Sequence, residues 1–234
     1  MPKVVLIDAS PRHERTTCSS ALAERAAAAF SGGLFETQTI HMRQSLQNGP
    51  EPDFASMWQA DALILIFPLY FFSLPGLLMR FLQDYAAFCR ARGGQKPGTR
   101  VYAVVNCGFP EPGINAEAVG VVRCFSRRVG AQFGFGVMLG GGPMWAAAQG
   151  APPVQKAAAV LDAGFARMAG DVTGGSAAPA GDIQVSLPFP RRLYLFMGGQ
   201  NWKQQARKNG LRPAQLRRRP YAASDTRRGH KCGG

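Results

Sequence analysis

The stretch Lys3-Val4-Val5-Leu6-Ile7-Asp8-Ala9-Ser10-Pro11-Arg12-His13-Glu14-Arg15-Thr16-Thr17-Cys18-Ser19-Ser20-Ala21-Leu22 decides how the chain folds. Val4 to Ile7 form a short apolar run that stops at a turn signal, Asp8-Ala9-Ser10-Pro11, which fits a buried parallel strand better than a helical turn. An alanine-rich helix follows from about Thr17 to Phe30, closed by Gly32-Gly33. The link between strand and helix is dense in hydroxyls (Ser10, Thr16, Thr17, Ser19, Ser20), with Arg12 and Arg15 among them.

In the first turn of a helix the backbone N–H groups have no intrahelical partner, and the helix dipole leaves partial positive charge there. A phosphate on that end receives backbone N–H bonds, hydroxyl bonds from Ser10 and Thr17 and a guanidinium contact from Arg12. At roughly 1.5–3 kcal/mol per charge-assisted bond, a few such bonds support micromolar binding, about −8 kcal/mol. The alternative for the same residues is that Thr16 or Thr17 only caps the helix while the arginines are solvated.

The 234 residues, 46% of them hydrophobic, suit one α/β domain with an appendage. Five widely spaced cysteines with no C-x-x-C pair argue against a disulfide framework, a structural zinc or an iron-sulfur cluster, and for a reducing, cytoplasmic compartment. Met1-Pro2-Lys3 runs directly into the first strand, so no secretory leader is expected. Net charge is +13, but from Arg191 onward twelve Lys/Arg face only Asp225, whereas residues 1–190 carry 15 basic against 13 acidic residues. The basic character therefore belongs to the tail, and specific nucleic-acid binding by the whole protein is not expected. Ala62 to Met79 is free of charge over eighteen residues, but Pro68, Ser73, Pro75 and Gly76 divide it into strand, loop and helix, so it is not read as a membrane span.

Further strands fit Leu34–Ile40, Ala62–Phe67, Arg100–Asn106 and Ala131–Leu139. Residues 43–53 read as loop, and a short helix fits Phe54–Gln59. Leu74, Leu77, Leu78, Phe81, Leu82, Tyr85 and Phe88 trace one helical face; Ile114, Ala118, Val121, Val122, Phe125 and Val129 trace another; Pro153–Met168 is a further helix. Strands alternating with helices predict a three-layer, doubly wound parallel sheet of five strands, order 2-1-3-4-5, with the ligand at the carboxyl ends of the first and third strands. The hydroxyl loop and the aromatic loop Pro68-Leu69-Tyr70-Phe71-Phe72-Ser73 meet there. The domain is assigned to residues 1–170, a linker to 171–189 and a basic extension to 190–234. That extension contains a helix over 190–208, with Leu193, Phe196 and Met197 on one face and cations on the other, and residues 217–234 are expected to be disordered.

Three segments together resemble the flavodoxin-like NAD(P)H-dependent FMN reductases: Ser10-Pro11-Arg12 with Thr17, Pro68-Leu69-Tyr70 with Ser73 and Pro75-Gly76, and Asn106-Cys107-Gly108-Phe109-Pro110-Glu111. The resemblance covers residues 3–168. Ala9 stands where many members have glycine, and His13-Glu14-Arg15 replaces a Gly/Asn-rich turn. The resemblance implies that Ser10, Arg12, Thr16 and Thr17 hold the FMN phosphate above the N–H groups of Thr17 and Cys18. It likewise implies that Pro68, Leu69, Tyr70 and Phe71 face the flavin and its ribityl chain, that Ser73 bonds a ring heteroatom, and that Asn106, Cys107, Gly108 and Phe109 approach the pyrimidine side. A backbone N–H near N1 or O2 there stabilises the anionic reduced ring.

The expected function is therefore transfer of a hydride from NAD(P)H through bound FMN to a quinone, flavin or other small acceptor, with no catalytic acid-base residue and no metal. A homodimer is implied by the same resemblance. The competing readings are an FMN electron carrier reduced by a partner protein, and a module that attaches to an anionic surface through its basic tail. For the latter the bland alternative is a solvated tail.

Overall fold

The computed structural model describes residues 1–12, 17–174, 181–188 and 190–218. The chain forms two compact units, Met1–Pro188 and Phe189–Gly234. The first is built on β1 (Lys3–Asp8), β2 (Glu36–His41), β3 (Ala62–Pro68), β4 (Arg100–Asn106), β5 (Gln132–Leu139) and β6 (Ile183–Val185), all parallel, in the order β2-β1-β3-β4-β5-β6. Its helices are α1 (Cys18–Ala29), α2 (Met42–Asn48), α3 (Glu51–Gln59), α4 (Gly76–Arg90), α5 (Ala116–Val129), α6 (Gly142–Ala147) and α7 (Pro152–Val172).

The near-continuous apolar runs of the central strands follow from coverage on both faces. The two-residue side-chain period sends Val5, Ile7, Leu63, Leu65 and Phe67 to one face, where they meet Phe54 of α3 and Leu78, Phe81 and Tyr85 of α4. It sends Val4, Leu6, Ile64 and Ile66 to the other, against Leu22 and Ala26 of α1 and Leu161 and Phe165 of α7. Phe54 sits edge-on to Phe81 with centroids 5.0 Å apart. Each such large side chain contributes about 1.5–3 kcal/mol on burial, and the result is a rigid slab whose loops are held at fixed positions.

The expected strand order holds for β1 to β5, and a sixth strand extends it within residues 171–189, the stretch read as linker. β6 is three residues long, too short to show a period. It is fixed by pairing with β5 (Leu139↔Val185) and by the Asp182 carboxylate, which accepts from Gly136 N at 2.7 Å and pairs with Arg123 at 3.0 Å. Residues 43–53, read as loop, hold α2 and the first turn of α3. Pro52 sits in that turn, where its missing N–H costs nothing, so the proline that looked like a breaker is an initiator.

In the second unit α8 (Arg191–Lys208) is followed by a 3-10 turn, Pro213–Arg217. Leu195 and Trp202, which a 3.6-residue period puts opposite Leu193, are exposed along with Leu193, Phe196 and Met197, so the apolar residues are not gathered on one face. The expectation of disorder beyond 217 falls, from 219 on, outside the described residues. No helix among the described residues is long and apolar enough to cross a membrane.

Candidate functional site at the carboxyl edge of the sheet

Because every strand runs the same way, the loops after β1, β3, β4 and β5 all emerge at one edge. They enclose a cavity of about 430 Å³, lined by Ser10, Pro11, Arg12, Thr17, Cys18 and Ser19 from the first loop, Pro68, Leu69 and Tyr70 from the second, Asn106, Cys107 and Gly108 from the third, and Pro143, Ala146 and Ala147 of α6.

One end of the cavity is polar. Thr17 is the N-cap of α1: its backbone is extended and its hydroxyl accepts from Ser20 N at 3.1 Å. Ser20 Oγ donates to Asp8 Oδ2 at 2.8 Å, so the Thr17–Ser20 hydroxyl contact, also 2.8 Å, uses the Thr17 proton. The capping alternative thus describes the Thr17 hydroxyl, which reaches an anion only by leaving Ser20. Asp8, nearly buried at the end of β1, also accepts from Ser10 N at 3.1 Å and lies 3.3 Å from His41 Nδ1. Arg12 is exposed beside this end, and Arg43 donates to the Pro11 carbonyl at 3.2 Å, tying the loop to α2.

The floor is a set of neutral groups. Asn106, 4% exposed, donates to Ser19 Oγ at 2.9 Å and to the Phe67 carbonyl at 3.2 Å, which locks the first turn of α1 to β3 and β4. Burial, with Cys107 close by, pushes the Cys18 thiol up to about 12. Burial likewise raises Cys107, although its thiol donates to the Phe109 carbonyl at 3.4 Å and accepts from Asn115 Nδ2 at 3.5 Å. Both sulfurs stay protonated at neutral pH and add no negative charge to the cavity.

The far wall is stitched to the third loop by backbone bonds, Gly141 N to Phe109 O at 2.7 Å and Gly142 N to Cys107 O at 2.8 Å, while Gly140 N reaches Val185 O of β6 at 2.9 Å. Gly141 takes the left-handed conformation, φ 70°. A β-carbon at Gly140 would lie 2.4 Å from the Pro110 carbonyl oxygen, and one at Gly142 would lie 2.9 Å from Asn106 Oδ1 and 3.2 Å from Cys18 Sγ. Only glycine lets the two loops close to this distance.

At the rim, Tyr70 and Ser73 exchange backbone hydrogen bonds, N to O in both directions at 2.9 Å, around Phe71 and Phe72. The Phe72 ring stacks on Phe109, with centroids 6.2 Å apart and planes 19° from parallel.

Of the residues nominated from sequence, Ser10, Arg12, Thr17, Cys18, Pro68, Leu69, Tyr70, Asn106, Cys107 and Gly108 line the one cavity. Phe71, Ser73 and Phe109 are not among its lining residues, and Thr16 lies outside the described residues. Sequence reasoning missed Pro11, Ser19, Pro143, Ala146 and Ala147. The available signal for the α6 wall was Gly140-Gly141-Gly142-Pro143 directly after a parallel strand, because such a loop must face the same edge.

Among the described residues, the titratable side chains on the walls are Arg12, Cys18, Tyr70 and Cys107, with no carboxylate or imidazole to move protons. Among the described residues no group of His, Cys, Asp and Glu side chains could hold a metal ion. A helix N-terminus with Ser10 and Arg12 at one end, and apolar and neutral walls beyond it, fit a ligand that joins an anion to an uncharged ring system.

Among solved structures, the fold is similar to an azoreductase from Bacillus anthracis (16% identity, 73% of this chain and 100% of that one, TM-score 0.51). It is also similar to an NADH:FMN oxidoreductase in its apo form (20%, 82% and 98%, TM-score 0.50) and to an NADPH-quinone reductase from P. pentosaceus (17%, 72% and 98%, TM-score 0.50). At these identities the likeness is one of fold. No curated protein matches the sequence. The sequence itself does match one family profile, over residues 2–120, and the chain belongs to that family, the one described by its flavodoxin-like fold.

Proposed function

We propose that the chain is an FMN-dependent oxidoreductase that passes a hydride from NAD(P)H to a small acceptor such as a quinone or a flavin. The observation that carries this reading is the cavity in which the start of α1, the β3 loop and the β4 loop converge, anion donors at one end and apolar or neutral walls at the other. Ser10, Arg12 and the first turn of α1 would hold the phosphate, with Thr16 beside them. Pro68, Leu69 and Tyr70 would flank the ring, with Phe71 and Ser73 of the same turn, and Asn106, Cys107, Gly108 and Phe109 would border its pyrimidine side.

Bound FMN supplies two-electron chemistry that no side chain here provides. The protein's part is to orient and to exclude water. Asn106 fixes α1 against the sheet, the Gly140–Gly142 loop closes the far side, and the protonated Cys18 and Cys107 thiols keep negative charge away from a ring that becomes anionic on reduction. No catalytic acid or base is assigned.

The same reading assigns FMN binding to residues 1–170, a basic extension to 190–234, a homodimer, and a cytoplasmic setting in which Cys18, Cys89, Cys107 and Cys124 are free thiols. Titration of the purified protein with FMN is expected to give a bound flavin band near about 450 nm that bleaches on anaerobic addition of NADH or NADPH. A protein that binds no FMN refutes the cofactor; one that binds FMN but stays oxidised with both nucleotides is an electron carrier instead.

A further inference from the structure

We infer that α8 is a docking surface for an anionic lipid bilayer, lying in the headgroup layer with its Leu193–Met197 half immersed and its cations at the phosphates. The surface belongs to the second unit alone and is independent of the flavin reading. The first observation is what α8 holds in water. Leu195, Phe196 and Trp202 are 59%, 61% and 69% exposed, and Leu193 and Met197, with Leu211 and Leu216 of the segment that follows, are exposed as well. Scattered surface leucines are ordinary, but seven large apolar side chains gathered between residues 193 and 216 mark a contact surface.

The second observation is charge. From Ile183 to Ser224 the chain has nine Lys/Arg and no Asp or Glu. Of these, Arg192 stands at the start of α8, and Lys203, Arg207 and Lys208 stand in its second half. Cations interleaved with apolar side chains, and no acid among them, match the phosphate layer of an anionic membrane above its acyl chains. Long Lys and Arg stems let the charges reach that layer while the helix lies lower. No helix among the described residues is apolar enough to cross a bilayer, so α8 lies on one.

Helical geometry separates this occupant from others. At about 100° per residue, Met197 and Phe196 fall on either side of Leu193, while Leu195 and Trp202 fall opposite. A groove in a folded partner covers one side of a helix and leaves the other wet. A turn that is apolar on all sides calls for a medium that closes around it, and Trp202, at the step to the polar half, then sits at the membrane–water boundary where tryptophan is favoured. A second copy of the chain is the poorer occupant. Residues 1–190 carry 15 basic against 13 acidic residues and offer no negative surplus, and another tail brings its own cations. A nucleic acid would use the cations but not Leu193, Leu195 or Met197.

The test uses the full chain with vesicles of phosphatidylcholine, alone or with about 30% phosphatidylserine. Co-sedimentation is expected to show partition onto the anionic vesicles about tenfold or more above that onto the neutral ones, falling about tenfold between low salt and about 0.5 M NaCl. Trp202 is the reporter, since Trp145 is buried and Trp58 half-buried. Its emission is expected to shift to the blue and to be quenched by brominated acyl chains. L195Q/F196Q is expected to lose about tenfold in partition together with the blue shift. K203Q/R207Q/K208Q is expected to lose about tenfold or more on the anionic vesicles, and most of the salt dependence with it. Both sets lie on an exposed helix outside the cavity, so far-UV circular dichroism, Tm and FMN titration are expected to match the parent.

No partition of the parent at low salt, or equal partition onto neutral and anionic vesicles, overturns the inference. So does adsorption that L195Q/F196Q leaves intact, which would make the helix a plain polycation. A dimer in sedimentation velocity that both variants dissociate overturns it in favour of a second copy on this face. Tighter binding of single-stranded poly(U) than of the vesicles, weakened by the cation variant alone, overturns it in favour of nucleic acid.

Discussion

Replacing Gly140 by alanine tests whether the far wall of the cavity is held as tightly as its bonds indicate. The added β-carbon would sit 2.4 Å from the Pro110 carbonyl oxygen, 2.9 Å from the Pro110 carbonyl carbon and 3.1 Å from Pro112 N. Real β-carbons do not come closer than 3.0 Å, so the backbone of one loop must move by at least about 0.6 Å. The obstacle is main chain and cannot rotate away. Both loops are anchored, since Gly140 N, Gly141 N and Gly142 N are bonded to Val185, Phe109 and Cys107. Overpacking of this kind costs about 1–3 kcal/mol, a fall of about 3–10 °C in Tm for a protein of this size. The displaced loop carries Gly108 and Cys107, so FMN affinity is expected to fall about tenfold as well. Gly134→Ala is the control: its β-carbon would press on the Tyr102 ring at 2.3 Å, inside the core and away from the cavity. It is expected to lower Tm comparably and leave the FMN Kd unchanged. Differential scanning calorimetry and flavin fluorescence titration read both quantities. Parental Tm and Kd in Gly140→Ala would refute the claim that the third and fourth loops are rigidly joined.

Thr17→Ala removes the hydroxyl that accepts from Ser20 N, and is expected to cost about 1 kcal/mol in urea unfolding. The same change should weaken FMN only slightly, because the Thr17 proton is already committed to Ser20. With its pKa raised from 9.0 to about 12, Cys18 is deprotonated at pH 8 in only about one molecule in ten thousand. Cys18 and the buried Cys107 should therefore be alkylated by iodoacetamide far more slowly than the exposed Cys124, as peptide mass spectrometry would show, and equal rates would contradict the burial. The linkage has a definite sign. A raised thiol pKa gives stability that is complete below pH 9 and is lost as pH climbs toward about 12, so Cys18→Ser should flatten the alkaline limb of a Tm-against-pH curve. Truncation after Arg218 removes four of the twelve tail cations and is expected to leave FMN binding and NAD(P)H turnover within twofold; a collapse of either would place part of the site in the tail.

Much of this was legible because the relevant signals are local. Val4–Ile7 and Ala62–Phe67 are unbroken apolar runs, so two-sided burial, the parallel sheet and the position of their loops could be read from sequence. Ser10, Arg12, Tyr70 and Asn106 then fall on one edge by topology alone. The rest depended on partners distant in sequence. β6 is a strand only because β5 offers it an edge, and α2, Met-Arg-Gln-Ser-Leu-Gln-Asn, has too few apolar residues to show a period. Pro143, Ala146 and Ala147 have no chemistry to draw attention and matter through where Gly140–Gly142 delivers them. The occupied Thr17 hydroxyl could not be foreseen, since it depends on Ser20 turning to Asp8. Nor could the positive φ of Phe71 (47°) and Phe72 (61°), where the residue types argue against the turn that forms.

The two margins of the sheet bear on how copies of the protein can meet. β2, Glu-Thr-Gln-Thr-Ile-His, is polar and largely solvent-facing, and β6 offers three residues flanked by the Asp182 ion pair on one side and Pro188 nearby on the other. A polar rim at β2 and a three-residue rim at β6 both disfavour the addition of another molecule's strand. The helical layers and the loop-bearing edge are therefore the surfaces to which crosslinking and interface mutagenesis are directed first.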